Sequence, residues 1–398
     1  MKIIFFGHPQ FLSHQSMPRF AKMLAVGMAK RGHEVELWYP SPKIASFSSQ
    51  LAVKKYLGYI DQFFLFPSQA KKRIKELENN ESTLFVLTDH ALGVWMNFIA
   101  DKPHVIHCHD FIAQKAALGI WQEFKIGRTG KWYQHLIKKG YSKGKNFISV
   151  SKHTQKDLHH FLQKPPLFSD VIYNGLNRDF SIKNNVSNTR IALSSETCIH
   201  LKEGFLLHIG GNEWYKNRKG VIAIYESWRK LTSKKLPLLL IGNQPDSKLK
   251  RVKNNSPFRK DIHFLINKDD DFVVQAYASA SLFLFPSKTE GFGWPIAEAM
   301  ACGCPVLTTN ATPMTEVGLE AAFYLPKFSE TIDLDTWTAK SAQKIEDILN
   351  LSKEERAKVK AKGIQNASRF ETEKTLDTIE KRYVDILAKN YENTTCSR

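Results

Sequence analysis

Short apolar runs alternate with longer amphipathic stretches along the first half of the chain. The pattern predicts a strand at Lys2–Gly7 and then a helix at Met17–Arg31, which ends at Gly32, a residue type that favours the left-handed stop of a helix. A second helix is predicted at Phe111–Leu118, and further strands at His33–Tyr39, Leu84–Leu87, Val105–His107 and Phe147–Val150. This strand–helix–strand order predicts a parallel sheet with helices on both faces.

The periodicity fades between Leu176 and Glu203, where Asn, Ser, Lys and Thr give the composition of a linker. It then resumes with a helix at Val221–Leu231 and strands at Phe205–Ile209, Pro237–Ile241, Ile262–Ile266 and Ser281–Phe285. We therefore predict an α/β protein with two doubly wound, Rossmann-like domains, each with its ligand crevice at the carboxyl ends of its strands. The predicted domains are 1–190 and 191–372, followed by a segment 373–398 within the helical stretch Ser352–Lys389.

The composition agrees with a soluble globular protein and indicates where it works. The chain has 398 residues, of which 42% are hydrophobic and 24% charged. Its five cysteines are scattered and odd in number, which favours a reducing compartment, and Cys302 and Cys304 lack the second pair that a zinc site needs. Because the apolar start is too short for a signal peptide, we predict a cytoplasmic protein, with peripheral contact to the cytoplasmic face of a membrane left open.

The positive charge is concentrated in the first half of the chain. Residues 1–190 carry 27 Lys and Arg against 13 Asp and Glu, which is +14 of the total +18. On charge alone, anionic lipid, anionic glycan and nucleic acid fit equally well, but we expect no nucleic acid because no recognised binding motif is present. Two basic segments also carry aromatic residues, Lys54–Lys75 and Lys125–Lys145; these segments could meet an anionic membrane or glycan, or be solvated helices with their aromatics in the core.

The stretch Phe285–Val306, FPSKTEGFGWPIAEAMACGCPV, holds the strongest candidate chemistry. Pro295 is placed as the first residue of a helix, and Gly291 and Gly293 let backbone amides approach an anion closely. Glu290 and Glu298 can both face the end of the preceding strand. This spacing suits a sugar diphosphate with Glu298 on a ribose, although Glu298 could instead only interact with its helix dipole.

Several other motifs occur in a fixed order around this stretch: MKIIFFG, AKRGHEVELW, VIHCHDF, SVSKHTQKDL, VIYNGLN, HIGGNEWYKNRKGV, LLLIG and AFYL. With Glu290 and Glu298 as its E-x7-E motif, the chain resembles glycosyltransferase family 4 over nearly its whole length. Members of that family are retaining enzymes of the GT-B fold, in which two Rossmann-like domains face each other across a cleft. The resemblance also implies that the segment 373–398 crosses back to the N-terminal domain.

The resemblance assigns roles to individual positions. Glu298 would bind the donor ribose, Glu290 would contact the transferred sugar near its reaction centre, and His109 would lie beside the donor sugar. Gly291, Phe292 and Gly293 would line the donor site.

Cations must stabilise the negative charge on the leaving diphosphate. The loop WYKNRKG supplies three candidates, of which we select Lys216 and Arg218, with Lys219 as the competing choice. The family's usual arginine directly after the strand glycine is replaced here by Gly211.

Two loops depart from simple expectations. The first loop, GHPQFLSHQSM, lacks the family's glycine pair, so that only Gly7 and Ser16 are assigned to the donor, and His8 and His14 are interpreted as incidental. Asp269, Asp270 and Asp271 are interpreted as a helix start and not as metal ligands.

The implied activity is the transfer of a hexose from a nucleotide-diphosphate sugar to a glycan, lipid-linked or small-molecule acceptor, with retention and with no metal or other cofactor. The acceptor is expected on the first domain. The alternatives are an epimerase or hydrolase of the same fold and a basic, non-catalytic protein that binds glycan or nucleic acid.

Overall fold

The computed structural model describes residues 1–9, 16–47, 51–77, 83–121, 124–176, 178–182, 185–328 and 332–395. The chain divides into two compact units, one made of Met1–Asn177 with Thr372–Arg398 and the other of Arg178–Glu371. No helix in the described ranges has the length and apolar character needed to cross a bilayer.

The first unit is built on a parallel sheet of six strands in the order β2-β1-β3-β4-β5-β6. β1 and β3–β5 carry mostly buried side chains, as expected for parallel strands with helices on both faces. The order changes direction between β1 and β3, the topological switch point at which such sheets bind ligands. The strands are β1 Lys2–Phe6, β2 Glu34–Trp38, β3 Thr83–Leu87, β4 His104–Cys108, β5 Asn146–Ser149 and β6 Phe168–Val171.

Helices and one π-helical segment surround this sheet. Phe66 and Trp95, whose ring centroids are 4.5 Å apart, pack with Phe6 in its core. A π-helical segment covers Asp61–Leu65, and 3-10 helices cover Ala45–Phe47 and His90–Phe98. The α-helices are α1 Ser16–Lys30, α2 Leu51–Ile60, α3 Phe66–Glu76, α4 Ile112–Ala117, α5 Arg128–Tyr141 and α6 Lys152–Phe161.

The second unit repeats the architecture with a parallel sheet in the order β12-β11-β10-β7-β8-β9, and its switch point lies between β7 and β10. Its strands are β7 Leu206–Ile209, β8 Leu238–Ile241, β9 Ile262–Leu265, β10 Leu282–Phe285, β11 Val306–Thr309 and β12 Phe323–Leu325. Its helices are α7 Val186–Thr197, α8 Arg218–Leu231, α9 Ser247–Asn255, α10 Asp270–Ser279, α11 Trp294–Ala301, α12 Met314–Gly318, α13 Leu334–Leu349 and α14 Lys353–Ala367. Short 3-10 helices cover Trp214–Lys216, Arg259–Asp261, Leu319–Ala321 and Ser368–Phe370.

The stretch predicted as a linker contains helix α7. Asn185 caps its start by accepting a hydrogen bond from the Asn188 amide, and Leu193 is buried. Arg190 donates to the carbonyl of Ser279 at 2.9 Å, which ties α7 to the end of α10. The units therefore part at residues 177 and 178, and the boundary predicted after residue 190 falls inside a helix of the second unit.

The C-terminal helix α15, Thr372–Thr395, belongs to the first unit. The single helical stretch predicted for Ser352–Lys389 is in fact α14 and α15, which are separated by the turn that buries Phe370. Arg31 pairs with Glu373 and Asp377 of α15. These contacts, together with buried Leu376 and Tyr383, fasten the helix to its sheet.

Candidate functional site

Two loops meet at the switch point of the second sheet, one after β7 and one after β10. The Lys288 amide donates to the Tyr215 carbonyl at 2.8 Å, and Asn217 Nδ2 donates to the Pro286 carbonyl at 3.0 Å. Asn217 has a left-handed φ of 55° and caps α8 by accepting from the Gly220 amide. The two loops therefore hold their side chains at one edge of the sheet.

Lys216 and Glu290 are in direct contact at this edge. The Nζ of Lys216 donates to the two carboxylate oxygens of Glu290 at 2.9 and 3.0 Å. Glu290 is 7% exposed, so that its charge needs a partner inside the protein. The structure thus brings together a predicted diphosphate cation and the carboxylate predicted to act near the reaction centre.

Arg218, in the first turn of α8, is only 4% exposed. Its Nη1 donates to Asn212 Oδ1 at 2.6 Å and to the Asn243 carbonyl at 3.0 Å. Its Nε and Nη2 are buried and have no hydrogen-bond partner among the described residues. Burial lowers the pKa of Arg218 to about 10, although nearby Glu213 and Asp246 raise it, so the guanidinium stays charged at neutral pH. A charged group with unmet donors requires an acceptor.

Lys219, the competing choice, is exposed at the start of the same helix. Of the two residues, Arg218 is the one with buried nitrogen donors that lack a hydrogen-bond partner among the described residues. Two neighbouring groups went unnoticed in the sequence, His208 and Ser287. The buried Nε2 of His208 and Oγ of Ser287 also lack a hydrogen-bond partner within the described ranges.

The glycine loop after β10 is buried throughout, with Gly293 at a φ of 98° as the cap of α11. Pro295 lies in the first turn of that helix, as the sequence predicts. The ring of Phe292 packs edge-on against Phe370 at 5.4 Å. Since its ring is held in the interior, a contact of Phe292 with a ligand would be made by its backbone, as would a contact of Gly291.

Glu298 lies on α11 and is half-buried. Its Oε2 accepts a hydrogen bond from the hydroxyl of Tyr277 on α10 at 3.0 Å. An interaction with the helix dipole alone therefore does not describe Glu298. It has a specific hydrogen-bond partner, Tyr277, which the sequence did not reveal.

Helix α10 begins at the aspartates, as predicted. Asp269 caps the helix by accepting from the Phe272 amide at 2.8 Å, and Asp270 pairs with Arg178 at 2.7 Å. In the described part of the chain, no three His, Cys, Asp or Glu side chains gather in a way that could hold a metal ion.

The first unit has its own ionic cluster at its switch point. Asp89, just after β3, has its Oδ2 2.9 Å from Nε2 of His8, which follows β1, and its Oδ1 3.0 Å from Nδ1 of His90. Burial raises the pKa of Asp89, but its contacts with His8 and His90 outweigh this effect and hold the pKa well below its usual value. His8, interpreted from the sequence as incidental to the donor site, thus has a buried ionic partner. The sequence does contain a sign of this contact, because the polar triplets GHP and TDH each follow one of two neighbouring strands.

His109 lies next to this cluster, because its Nε2 donates to the Thr88 carbonyl at 2.9 Å. His107 and His109 are two residues apart in an extended chain and share a face, and both rings contact Phe20, at 5.3 and 4.5 Å. Burial lowers the pKa of His109, which is therefore neutral at pH 7.

Gly7 and Ser16, the two residues of the first loop that were assigned to the donor, differ in their exposure. Gly7 is buried, and its amide donates to the Trp38 carbonyl at 2.9 Å. Ser16 is the exposed first residue of α1. Residues 10–15, including His14, lie outside the described ranges.

The Asp89 cluster predicts a pH-dependent stability. Asp89→Asn should lower the free energy of unfolding by about 1–3 kcal/mol at pH 7, because the buried hydrogen bonds lose their charge. A depressed carboxyl pKa contributes stability above its unfolded value of about 3.9 and loses it as the pH falls further, so the difference between wild type and variant should shrink below about pH 4. Urea unfolding at pH 7 and pH 3.5 measures this.

The matched control is Asp101→Asn, which removes an exposed carboxylate of the same unit. It should leave stability within about 0.5 kcal/mol of wild type. Equal stability of Asp89→Asn and wild type at pH 7 would contradict the assignment.

Comparison with known proteins gives matches in both units. The family model for glycosyl transferases of group 1 matches residues 194–366, and that for Glycosyltransferase Family 4 matches residues 17–180. O-antigen chain mannosyltransferase B of Escherichia coli is 33% identical over 147 residues, which are 36% of this chain and 38% of that protein. The chain thus spans well under half of that relative. An uncharacterized glycosyltransferase of Methanocaldococcus jannaschii, MJ1607, is 24% identical over 74% of this chain and 77% of its own length.

Solved structures share the fold. HepE of Anabaena, solved in complex with UDP and glucose, superposes with a TM-score of 0.70 at 17% identity, covering 97% of this chain and 100% of that one. WaaG, a glycosyltransferase involved in lipopolysaccharide biosynthesis, superposes with a TM-score of 0.68 at 17% identity, covering 95% of this chain and 99% of that one. The two family models together cover most of the sequence, and the chain therefore belongs to the group 1 glycosyltransferases of family 4, with the GT-B fold of two Rossmann-like units.

Proposed function

We propose that this protein transfers a hexose from a nucleotide-diphosphate sugar to an acceptor hydroxyl, with retention of configuration and without a metal ion. The observation that carries the proposal is the group of charges at the switch point of the second sheet. Lys216 and Glu290 are in contact there, and Arg218, with two unmet donors, lies two residues further on. The complexes of HepE with UDP and glucose, and the names of the mannosyltransferase relatives, support this donor class.

The donor diphosphate would lie on Lys216 and Arg218. The Nε and Nη2 edge of Arg218 presents two parallel N–H groups, which match two oxygens of one phosphate. Backbone amides of residues 291–293 would add neutral donors, and Glu298 would accept hydrogen bonds from the ribose hydroxyls. Two fixed cations supply the charge that a metal ion supplies in other transferases, which supports metal independence.

In the proposed reaction, the bond between the anomeric carbon and the diphosphate oxygen breaks, and the nucleoside diphosphate leaves with the electron pair. The acceptor oxygen bonds to the anomeric carbon on the same face, and its proton passes to the departing diphosphate. Glu290, held by Lys216, would stabilise the positive charge that develops on the sugar.

The acceptor would bind through the first unit. Its switch-point cluster of His8, Asp89 and His90 contains a carboxylate and imidazoles, groups that bind sugar hydroxyls. His109, next to this cluster, would contact the donor sugar. The acceptor class stays open between a glycan, a lipid-linked sugar and a small molecule. An epimerase or hydrolase would instead release a free or isomerised sugar, so the identity of the product separates these activities.

Thermal unfolding with UDP, GDP and ADP, each in EDTA, tests the donor site. A nucleotide at about 100 times its Kd adds about 2.7 kcal/mol, which raises Tm by several degrees. We expect such a shift with one nucleotide, and we expect Glu298→Ala to remove most of it because the ribose loses its carboxylate. No shift with any nucleotide would contradict the proposal.

Glu346→Ala is the matched control. Glu346 is another partly buried carboxylate of the second unit, and it accepts a hydrogen bond from Trp228 Nε1 at 2.8 Å. Its loss should lower Tm but leave the nucleotide-induced shift intact. Loss of the shift in both variants would mean that general destabilisation, and not the ribose contact, explains the effect of Glu298→Ala.

We also propose that the first unit binds the surface of an anionic membrane. Phe63 packs against Tyr59 and Tyr133 at 5.9 and 5.7 Å, which joins α2, the π-helical segment and α5. Beside these packed rings, Phe64 and Trp132 are 71% and 63% exposed. Phe66, which belongs to the same basic segment as Phe63 and Phe64, is buried in the core. Helix α3, helix α5 and the residues just before α5 also carry exposed lysines and arginines: Lys71, Lys72, Arg73, Lys75, Lys125, Arg128, Lys131 and Lys139.

This arrangement suits a bilayer surface because exposed aromatics enter the interface while basic residues attract anionic headgroups, at about 1 kcal/mol each. An anionic glycan could use the same residues, because a sugar ring can stack on an exposed aromatic face. Binding to lipid vesicles separates the two partners.

Co-sedimentation with vesicles of phosphatidylcholine, with and without 30% phosphatidylserine, measures the membrane contact. We expect binding to the anionic vesicles that weakens with salt, and a loss of about tenfold or more in the Phe64→Ser/Trp132→Ser variant because two rings no longer enter the interface. Leu167→Ser is the control, since Leu167 is 76% exposed at the start of β6 but lies outside the basic segments. Equal binding to both kinds of vesicle, or none by wild type, would refute the contact.

A further inference from the structure

Tyr277 is a fully buried residue of α10, and its hydroxyl oxygen is the one polar atom of its side chain. Its exposed fraction is 0%, and its hydroxyl donates to Oε2 of Glu298 on α11 at 3.0 Å. A buried hydroxyl without a partner is costly, so this hydrogen bond ties the position of Glu298 to the core of the second unit. Glu298 is only half-buried, and its carboxylate can still reach a ligand.

The ring of Tyr277 is fixed by its neighbours. Phe283 of β10 contacts it edge-on at 5.2 Å, and Phe180 does so at 6.1 Å. Burial, reinforced by the charge and hydrogen bond of Glu298, raises the pKa of Tyr277 well above its usual value. The hydroxyl therefore stays protonated and always points its hydrogen at the carboxylate.

A carboxylate has about four acceptor positions, and Tyr277 occupies one of them on Oε2. Two neighbouring hydroxyls of a ribose would need two such positions. A free glutamate side chain would have to give up its rotamer freedom when it binds that pair, whereas a carboxylate that is already oriented gives up less.

We propose that Tyr277 is a positioning residue that orients Glu298 toward the ribose hydroxyls, and that it thereby sets the preference of the site for ribonucleotides over 2′-deoxyribonucleotides. This inference rests on the proposed donor site. Tyr277 itself touches no substrate and acts through Glu298.

Isothermal titration calorimetry tests the inference with UDP, GDP and ADP and their 2′-deoxy counterparts. We expect wild type to bind one ribonucleotide about tenfold more tightly than its 2′-deoxy form, because one hydrogen bond to a charged acceptor is lost. In Tyr277→Phe, the affinity for the ribonucleotide should fall about five- to tenfold, and the ratio between the two forms should fall to about twofold.

A purely structural role would weaken both nucleotides alike and would leave their ratio at the wild-type value, an outcome that overturns the inference. Tyr225→Phe is the matched control. Tyr225 is another fully buried tyrosine of the same unit, but its hydroxyl donates to the Leu236 carbonyl at 2.9 Å. This variant should keep both the affinity and the ratio.

A double-mutant cycle gives an independent measurement. If Tyr277 acts through Glu298, then adding Tyr277→Phe to Glu298→Gln should weaken ribonucleotide binding by less than twofold, and independent, additive effects would overturn the inference. If wild type binds none of the three nucleotides, the proposed donor site fails and this inference fails with it. Normal wild-type binding with an unchanged ratio in Tyr277→Phe refutes this inference alone.

Discussion

The carboxylate of Glu290 is enclosed at the end of β10, and it requires a positive charge that Lys216 supplies from the loop after β7. Removing one partner of such a pair typically costs about 3–5 kcal/mol, because the other charge is left buried and unpaired. The contact therefore determines where both loops lie, and the hydrogen bonds of Asn217 and Lys288 across the same junction agree with it. Arg218 and the start of α8 follow from that placement, since the capping residue Asn217 directly follows Lys216.

The two units share one architecture but have different polar groups at its switch point. In each, a parallel sheet changes direction between two central strands, and polar residues that follow those strands meet at the gap. In the second unit they are predominantly cationic, as an anionic diphosphate would require. In the first unit a buried Asp89 holds two histidines, an arrangement suited to neutral hydroxyls. The difference in charge between the two gaps supports a division between donor and acceptor.

The sequence predicts nine of the twelve strands that the structure describes, most of them short, buried, apolar runs, and it misses β6, β11 and β12. It fails for α7, whose mostly polar residues 186–197 look like a linker, because only Leu193 is buried there and a single buried position leaves no apolar stripe in the sequence. The resemblance located Glu290, Glu298, Lys216 and Arg218 along the chain, and the structure places Lys216 on Glu290. It could not reveal Tyr277 or Asp89, because their contacts join residues 21 and 81 positions apart and depend on packing between elements. The roles of all these residues in transfer remain proposals.

The central claim is that the diphosphate of the donor lies on the basic loop of the second unit. A crystal structure with the nucleoside diphosphate that the chain binds would locate the phosphates. We expect phosphate oxygens within hydrogen-bond distance of Lys216 Nζ and Arg218 Nη2, and the ribose hydroxyls on Glu298. A nucleotide bound elsewhere, with Arg218 still lacking a partner for its Nε and Nη2, would contradict it.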